Sequence, residues 1–342
     1  MSARFTHASL MSGIGGLDLG FELAGFRTCY QCEIDDHARA VLVAHWPSER
    51  RGADVRETDG RRLRGVDVLS AGWPCQDLSV AGGRAGLAGA RSGLFHEVAR
   101  VVEEARPRVF VWENVPGLLS QDAGAAMYTV TGELARVGYF GAWRVLDAQF
   151  AGLAQSRRRV FGAFVRDDWG GWAGGCSILL DAGGSGGGTA APRKARKPIA
   201  DGTGRCIVGT VSNKWHKQSG GPAGDERYNL TTDPLVPGFR FAHECEECPD
   251  CGEPWCPDCE EHYGDCLCVG PSNLDDYIAE NGTRVRRLTP RECERAQGFP
   301  DDWTVMLSDT QRYKTIGNAV PVTIAYWLGL RTRLFLEGVG AE

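Results

Sequence analysis

The chain has 342 residues, of which 42% are hydrophobic and 24% charged, the composition of an ordinary soluble globular protein. This length allows one large domain with a smaller one, and no segment approaches the roughly 20 apolar residues that a membrane span needs. The first residues, MSARFTHASL, contain no extended apolar core, which excludes a secretory signal and predicts a cytoplasmic protein. In that compartment the 13 cysteines are expected to be thiols or metal ligands.

The formal net charge is −6, but the acidic residues are concentrated in one segment. Residues 243–280 contain 12 Asp and Glu and no Lys or Arg, and the rest of the chain has 38 basic and 32 acidic residues. Because local fields govern contact with phosphate groups, the net charge does not exclude a nucleic-acid partner.

The first 165 residues alternate between apolar runs and amphipathic segments. The predicted strands are RFTHASLMS, TCYQCEI, VDVLSAG, RVFVWENV, WRVLDAQF and RRRVFGAFV. The predicted helices are GLDLGFELAGF, DHARAVLVAHW, SGLFHEVARVVEEA and AAMYTVTGELARVG. This repetition predicts an α/β domain, a mostly parallel sheet with helices on both faces, and ligands in such sheets bind at the carboxyl ends of the strands.

The alternation stops near Asp168. WGGWAGG and the following DAGGSGGGTAAPRKARKP are glycine-rich and then basic, which predicts a linker or a loop. Order returns where Thr289 and Glu292 form a capping box around Pro290, in a helix that Gly298 should end. RYKTIGNAVPVTIAYWLGLRTRLFLEGV then predicts a turn and a last amphipathic helix. We therefore expect one domain formed by residues 1–169 and 286–342, interrupted by a smaller domain at 170–285.

A glycine cluster between the first strand and the first helix is the first candidate binding site. Asp18 takes the place of the third glycine of a dinucleotide fingerprint, and an acid there would repel a pyrophosphate but attract an ammonium group. Glu33 and Asp54 follow at the ends of later strands, where carboxylates can bind ribose hydroxyls. The pattern favours an adenosine-type cofactor, and a plain tight turn is the alternative. The clustered glycines are Gly13, Gly15, Gly16 and Gly20.

A second group of candidates follows three later strands. Cys75, in GWPCQDLSVAG, lies beyond its apolar run and directly after Pro74, whereas a structural cysteine would lie inside such a run. Glu113 ends the strand RVFVW; its alternative role is to cap a helix or pair with an arginine. In QSRRRVFG, strand alternation puts Arg157 and Arg159 on one side, although an arginine trio is also typical of a solvated surface.

Residues 243–268 contain seven cysteines and two histidines. Two C-x-x-C pairs, Cys248/Cys251 and Cys256/Cys259, each enclose a Pro-Asp turn typical of zinc knuckles. A structural Zn²⁺ is predicted, because such a segment is too small and polar to build a core of its own. A disulfide knot is the alternative, and the spacing does not decide which cysteines pair. The candidate ligands are Cys245, Cys248, Cys251, Cys256, Cys259, Cys266 and Cys268.

Seven segments together resemble the DNA (cytosine-5) methyltransferases, in that family's usual order and over nearly the whole chain. They are SGIGGLDLGFELAGF, CEID, GWPCQDLSVAG, ENV, QSRRRVFG, RRLTPRECERAQGFP and YKTIGNAVPV. Two features depart from the family: Ser9, Leu10 and Met11 replace its Asp-Leu-Phe, and the cysteine cluster is not general in it.

The resemblance implies a Rossmann-like fold that uses S-adenosylmethionine. Cys75 would add to C6 of a flipped-out cytosine, Glu113 would contact N3 and the exocyclic amine, and Arg159 would contact O2, with Arg157 as its neighbour. Residues 170–285 would be a target-recognition domain on double-stranded DNA. The residues implied for cofactor binding are Met11, Gly13, Gly15, Gly16, Glu33, Ile34, Asp54, Val55, Pro74, Leu94, Asn318 and Val320.

Two rival functions remain open. One is an RNA (tRNA) cytosine-5 methyltransferase, since an RNA-modifying lineage shares these motifs. The other is a non-catalytic DNA-binding homologue, which typically lacks the cysteine or the glutamate. The resemblance further implies a monomer of bacterial or phage origin, associated with the nucleoid, for which a cognate restriction endonuclease is a candidate partner. PRKARKP, Lys214 and Lys217 are candidate phosphate contacts, with a solvated loop as the alternative.

Overall fold

The computed structural model describes residues 5–74, 93–180 and 285–339, together with four short strand segments at 230–232, 246–247, 254–256 and 261–262. A seven-stranded sheet with the order β3-β2-β1-β4-β5-β7-β6 forms its centre. The first five strands pair in parallel, and β7 pairs antiparallel with both β5 and β6. The predicted mostly parallel sheet is confirmed. The strands are β1 (Phe5–Leu10), β2 (Phe26–Cys32), β3 (Arg50–Gly52), β4 (Val68–Gly72), β5 (Val109–Asn114), β6 (Tyr139–Asp147) and β7 (Arg158–Arg166).

Helices cover both faces of this sheet. Side chains of α3 and α4 pack on one face, and those of α1, α5 and α8 pack on the other. A third apolar cluster joins α2 to α6 and α7 beside the sheet. The helices are α1 (Gly16–Leu23), α2 (Asp36–His45), α3 (Gly93–Ala105), α4 (Ala125–Arg136), α5 (Gly171–Leu179), α6 (Pro290–Gln297), α7 (Asp309–Asn318) and α8 (Val322–Val339). No described helix is long and apolar enough to cross a membrane.

Five short strands lie in or next to the predicted insert. β8 (Leu230–Thr232) pairs with β12 (Val285–Arg287), and β10 (Pro254–Cys256) pairs with both β9 (Glu246–Glu247) and β11 (Glu261–His262). Apart from these segments, residues 181–284 lie outside the described part of the chain. The division at 170 and 285 therefore stays a prediction.

The prediction of a linker at WGGWAGG is wrong, because these residues begin α5. A Cβ built on Gly175 would lie 2.5 Å from the Ala163 carbonyl oxygen and 2.5 Å from Gly141 Cα. The absence of a side chain thus lets the helix backbone approach β6 and β7 closely. The glycines that suggested a loop permit helix–sheet packing instead.

The capping box that begins α6 is confirmed. Glu292 accepts the Thr289 N–H at 2.8 Å, Thr289 Oγ1 accepts the Glu292 N–H at 3.3 Å, and Gly298 ends the helix with φ of 80°. The segment that begins with RYKTIGN, predicted as a turn and a last helix, contains the end of α7, a short turn and α8; the helix α7 was not predicted. That helix starts where Ser308 N–H donates to Gln311 Oε1 at 3.0 Å, a cap that the sequence reading overlooked.

Candidate active site at the carboxyl edge of the sheet

The glycine turn after β1 leaves an open space at the carboxyl edge of the sheet. Gly13 and Gly15 have φ of 56° and 84°, the left-handed conformation that glycine adopts readily. Among the described residues, no heavy atom beyond the adjacent chain neighbours lies within 4 Å of the position that a Cβ on Gly13 would occupy. A Cβ on Gly16, in contrast, would meet the Val320 carbonyl oxygen at 2.4 Å, so the start of α1 packs against the turn between α7 and α8.

Glu33, at the end of β2, borders this open space. Its Oε2 accepts the Gly13 N–H at 2.7 Å, and its Oε1 accepts the Asp35 N–H at 2.9 Å. The next side chain, Ile34, is 64% exposed. These residues fit an adenosine-type cofactor, because a carboxylate can accept ribose hydroxyl bonds and an exposed aliphatic side chain can pack on a base.

The other predicted cofactor residues differ in how far they are exposed and in what they contact. Asp54 caps a short 3₁₀ turn and pairs with Arg56 at 2.6 Å, while Val55 is buried in the core. Met11, half-buried beside the glycine turn, has φ of 53°. The remaining three are Leu94, half-buried in the first turn of α3, exposed Pro74 after β4, and exposed Asn318 at the end of α7.

Asp18 does not face this space, so the expectation that it would meet an ammonium group is wrong. The side chain is completely buried, accepts the Ser9 hydroxyl at 2.8 Å and lies 3.9 Å from His7 Nδ1. Burial raises the pKa of Asp18 to about 7, against the opposing hydrogen bonds from Ser9 and Gln31, and burial lowers the pKa of His7 to about 3. The acid belongs to a polar cluster between α1 and the sheet.

Glu113 and Arg159 form an ion pair at the carboxyl end of β5. Arg159 Nε lies 3.2 Å from Glu113 Oε1, and the two side chains are only 15% and 13% exposed. Burial raises the pKa of Glu113, and the nearby Arg159 and Arg157 guanidinium groups oppose that shift. The carboxyl group therefore holds a proton more readily than an ordinary glutamate does.

The end of β4, which leads into the Pro-Cys segment, lies next to this pair. Gly72 is in register with Glu113, and Asn114 Nδ2 donates to the Trp73 carbonyl oxygen at 2.9 Å. Cys75 itself lies outside the described residues, which stop at Pro74 before α3. The adjacent backbone is thus tied to the strand that carries Glu113.

The alternation predicted for QSRRRVFG is confirmed, because Arg157 is buried and Arg158 is exposed. The guanidinium of Arg157, however, donates through Nη2 to the carbonyl oxygens of Gly317 and Ala319, both at 2.9 Å. These two bonds go to the protein backbone, and only 1% of the residue is exposed. This geometry favours a positioning role over direct contact with a substrate.

Two further side chains that the sequence did not indicate, Trp303 and Lys314, support the site, as does Gln155 of the QSRRRVFG segment. Trp303 Nε1 donates to the Ile14 carbonyl oxygen in the glycine turn at 2.9 Å. Lys314 Nζ lies 3.0 Å from Asp35 Oδ2, next to Glu33. Gln155 Nε2 donates to the Ala296 carbonyl oxygen at 2.9 Å. Each contact joins residues more than 140 positions apart, so no local motif could have revealed it.

Several predicted sites lie outside the described residues. Cys256 is the last residue of β10, and only its backbone is described. The structure does not describe the other six candidate zinc ligands, PRKARKP, Lys214 or Lys217. Within the described ranges there is no group of three or more metal-ligating side chains.

Solved methyltransferase structures share this fold. EhMeth of Entamoeba histolytica aligns with a TM-score of 0.62 at 14% identity, covering 97% of this chain and 99% of its own. The Dnmt2 methyltransferase of S. pombe aligns with a TM-score of 0.59 at 16% identity, covering 98% and 99%.

Curated bacterial proteins are similar along nearly the whole sequence. The type II methyltransferase M2.BsuMI of Bacillus subtilis is 30% identical over 335 residues, 94% of this chain and 73% of its own. M.NlaX of Neisseria lactamica, also a type II methyltransferase, is 28% identical over 341 residues and covers 98% of both chains. Residues 5–169 and 261–332 match the sequence profile of the C-5 cytosine-specific DNA methylases. The chain belongs to this C-5 cytosine-specific DNA methylase family.

Proposed function

We propose that the protein is a sequence-specific DNA methyltransferase that transfers a methyl group from S-adenosylmethionine to C5 of cytosine. The buried Glu113–Arg159 pair carries this proposal, because it lies beside the end of β4 that leads into Pro74 and Cys75. An acid, a base-holding arginine and a nucleophilic cysteine at one sheet edge are the groups that such a reaction needs.

In this mechanism the Cys75 thiolate makes C5 of cytosine nucleophilic by adding to C6. In water, C5 of cytosine is too weak a nucleophile to take up a methyl group. When the Cys75 thiolate forms a bond to C6, the electron pair of the C5–C6 double bond becomes available at C5. S-adenosylmethionine supplies an electrophilic methyl group. Loss of the C5 proton and cleavage of the S–C6 bond then restore the aromatic ring and release the thiolate.

Glu113 and Arg159 would stabilise the ring while the thiolate is attached. Negative charge develops towards N3 as Cys75 adds, and a proton on Glu113 can be shared with N3 at that moment. Burial favours this protonated form. Arg159 would donate to the base O2 and hold the ring over the cysteine.

Cofactor binding is assigned to the open space at the glycine turn. Glu33 would accept the ribose hydroxyls, while Ile34 and Met11 would cover the adenine. The observed openness at Gly13 and the exposure of Ile34 support this assignment.

The type II bacterial relatives favour DNA over RNA as the substrate. In duplex DNA the faces of C5 and C6 are hidden by stacking, so the target base must leave the helix. The part of the predicted insert that follows α5 would read flanking bases in the major groove. Within it we assign a structural Zn²⁺ to the cysteine segment at 243–268, supported by the paired C-x-x-C spacing.

Trapping by a fluorinated base tests the mechanism. An oligonucleotide duplex with 5-fluorocytosine at the target, incubated with S-adenosylmethionine, should give a protein–DNA band that survives denaturing electrophoresis, because fluorine cannot leave as the proton does. Cys75→Ala should give no such band and no methylation, with cofactor binding retained. Unchanged turnover in Cys75→Ala would refute the mechanism. Methylation of transfer RNA but not of duplex DNA would favour the RNA alternative.

A further inference from the structure

Arg157 connects the start of β7, which carries Arg159, to the turn after α7, which packs against the glycine turn. It precedes Arg159 by two residues, so both side chains leave the same side of the extended chain. Arg159 reaches Glu113, whereas Arg157 binds the carbonyl oxygens of Gly317 and Ala319. Those two carbonyls flank Asn318, at the end of α7.

Residues 317–320, at the end of α7 and in the turn that follows it, contact the glycine turn after β1. The Val320 carbonyl oxygen occupies the place where a Cβ on Gly16 would lie, so this turn and the start of α1 are in direct backbone contact. Arg157 therefore binds the turn that packs against the glycine turn, where the cofactor is proposed to bind. Its neighbour Arg159 contacts Glu113, where the base is proposed to bind.

Neighbouring contacts fix the same two segments. Gln155 donates to the Ala296 carbonyl oxygen, and Gln297 Nε2 donates to the Ile316 carbonyl oxygen at 3.1 Å. The three donors, Gln155, Arg157 and Gln297, are buried, and they connect the segment directly before β7 with α6 and α7. Among the hydrogen bonds of the described residues, those of Arg157 connect this segment to the turn after α7.

We propose that Arg157 is a positioning residue that sets the separation between the target base and the methyl donor. The inference rests on the proposed function, in which Arg159 holds the base and the glycine turn holds the cofactor. Both bonds come from Nη2, whose two hydrogens lie in the guanidinium plane, and the ammonium group of a flexible lysine lacks that fixed planar geometry. A misplacement of about 1 Å between reacting groups can cost roughly 100-fold in rate.

The test compares Arg157→Lys and Arg157→Gln with the matched variant Arg158→Lys, whose arginine is exposed. Single-turnover methylation at saturating DNA and cofactor should fall at least about 10-fold in Arg157→Lys and about 100-fold in Arg157→Gln. Affinities for S-adenosylmethionine alone and for duplex DNA alone should change less than about threefold, since each half of the site remains. Arg158→Lys should keep the parental rate.

A binding measurement gives a readout that does not need turnover. The ratio of DNA affinities with and without S-adenosylhomocysteine measures the coupling between the two halves. In Arg157→Lys this ratio should move towards one. A parent protein that binds DNA but methylates neither DNA nor transfer RNA would refute the proposed function. The ratio of DNA affinities could still be measured in that case, and it would still test whether Arg157 couples the two halves of the site.

Two results would overturn the proposal. One is a parental single-turnover rate and a parental coupling ratio in folded Arg157→Lys, with only the melting temperature lowered. The other is failure of both Arg157 variants to fold, which would assign the residue a purely structural role.

Discussion

Glu113 is subject to two opposing influences. Burial favours its protonated form, and the guanidinium groups of Arg159 and Arg157 favour the carboxylate. A carboxyl group in such a setting can both hold and release a proton within the catalytic cycle. The 3.2 Å contact with Arg159 also fixes its orientation at the sheet edge.

Replacement of this carboxyl group by an amide tests whether Glu113 shares a proton with N3 of the base. Glu113→Gln keeps the shape but cannot share a proton with N3, so single-turnover methylation should fall about 100-fold or more. Quench-flow measurement with labelled cofactor would give the rate, and Glu103→Gln on the surface of α3 serves as the matched control. A decrease of less than about threefold would contradict the proton-sharing role.

Asp18 affects stability through its buried position. Its pKa rises from 3.8 to about 7 on folding, so the folded state binds a proton that the unfolded chain has released. This contribution to stability is fully present below pH 3.8 and is lost as the pH rises through 7.

Asp18→Asn should remove that dependence while still accepting the Ser9 hydroxyl. Relative to the variant, the parent should lose on the order of 2 kcal/mol of unfolding free energy between pH 5 and pH 8. Urea unfolding at the two pH values measures this difference. Equal differences at both pH values would mean that Asp18 does not titrate in this range in the folded protein.

At the scale of elements, glycines have different roles in different helices. In α5, Gly175 contacts the backbone of β6 and β7. In α4, Gly132 is exposed, and beyond its own helix backbone no atom of the described residues lies within 4 Å of a Cβ built on it. The same residue type thus marks close packing in one helix and open solvent in the other.

Alanine at these two positions should have opposite effects. Gly175→Ala should lower the unfolding free energy by about 1–3 kcal/mol, because the new methyl group cannot displace backbone atoms. Gly132→Ala should raise it by up to about 1 kcal/mol, through lower backbone entropy of the unfolded chain. Thermal and urea unfolding of both variants would measure the effects, and a stabilised Gly175→Ala protein would contradict the packing described for α5.

At the scale of the whole molecule, the two ends of the chain form one layer. A Cβ on Gly20 would lie 2.3 Å from the Ala325 Cβ, so α1 and α8 pack at close range. The rings of Trp303 and His45 stack 3.5 Å apart, which joins the segment after α6 to α2. Residues before and after the predicted insert therefore pack together in one unit.

The acidic insert allows a test of metal dependence. Purified protein should contain one or two Zn²⁺ per chain by elemental analysis, because seven cysteines can supply one or two tetrahedral sites. A strong chelator should abolish sequence-specific DNA binding in gel-shift experiments and leave S-adenosylmethionine binding intact. Protein that is active but free of zinc would rule out the structural metal.

Local sequence determined the elements whose signals lie within a few residues. Alternating apolar runs predicted six of the seven strands of the sheet, all but β3, and Thr289 with Glu292 predicted the start of α6, because periodicity and capping act over one or two turns. The order of short motifs along the chain indicated the family. The α7 cap at Ser308 and Gln311 was equally local but was overlooked.

Tertiary structure alone decided which way the site residues point. The motif placed Arg157 beside Arg159, but its bonds go to carbonyl groups 160 and 162 residues away in the sequence. Asp18 lies in the first turn of α1, directly after the glycine turn, yet its carboxyl group faces His7 in the interior. Such choices depend on which backbone and side-chain groups the fold brings to the same place, and for Arg157 no local window of sequence contains both partners.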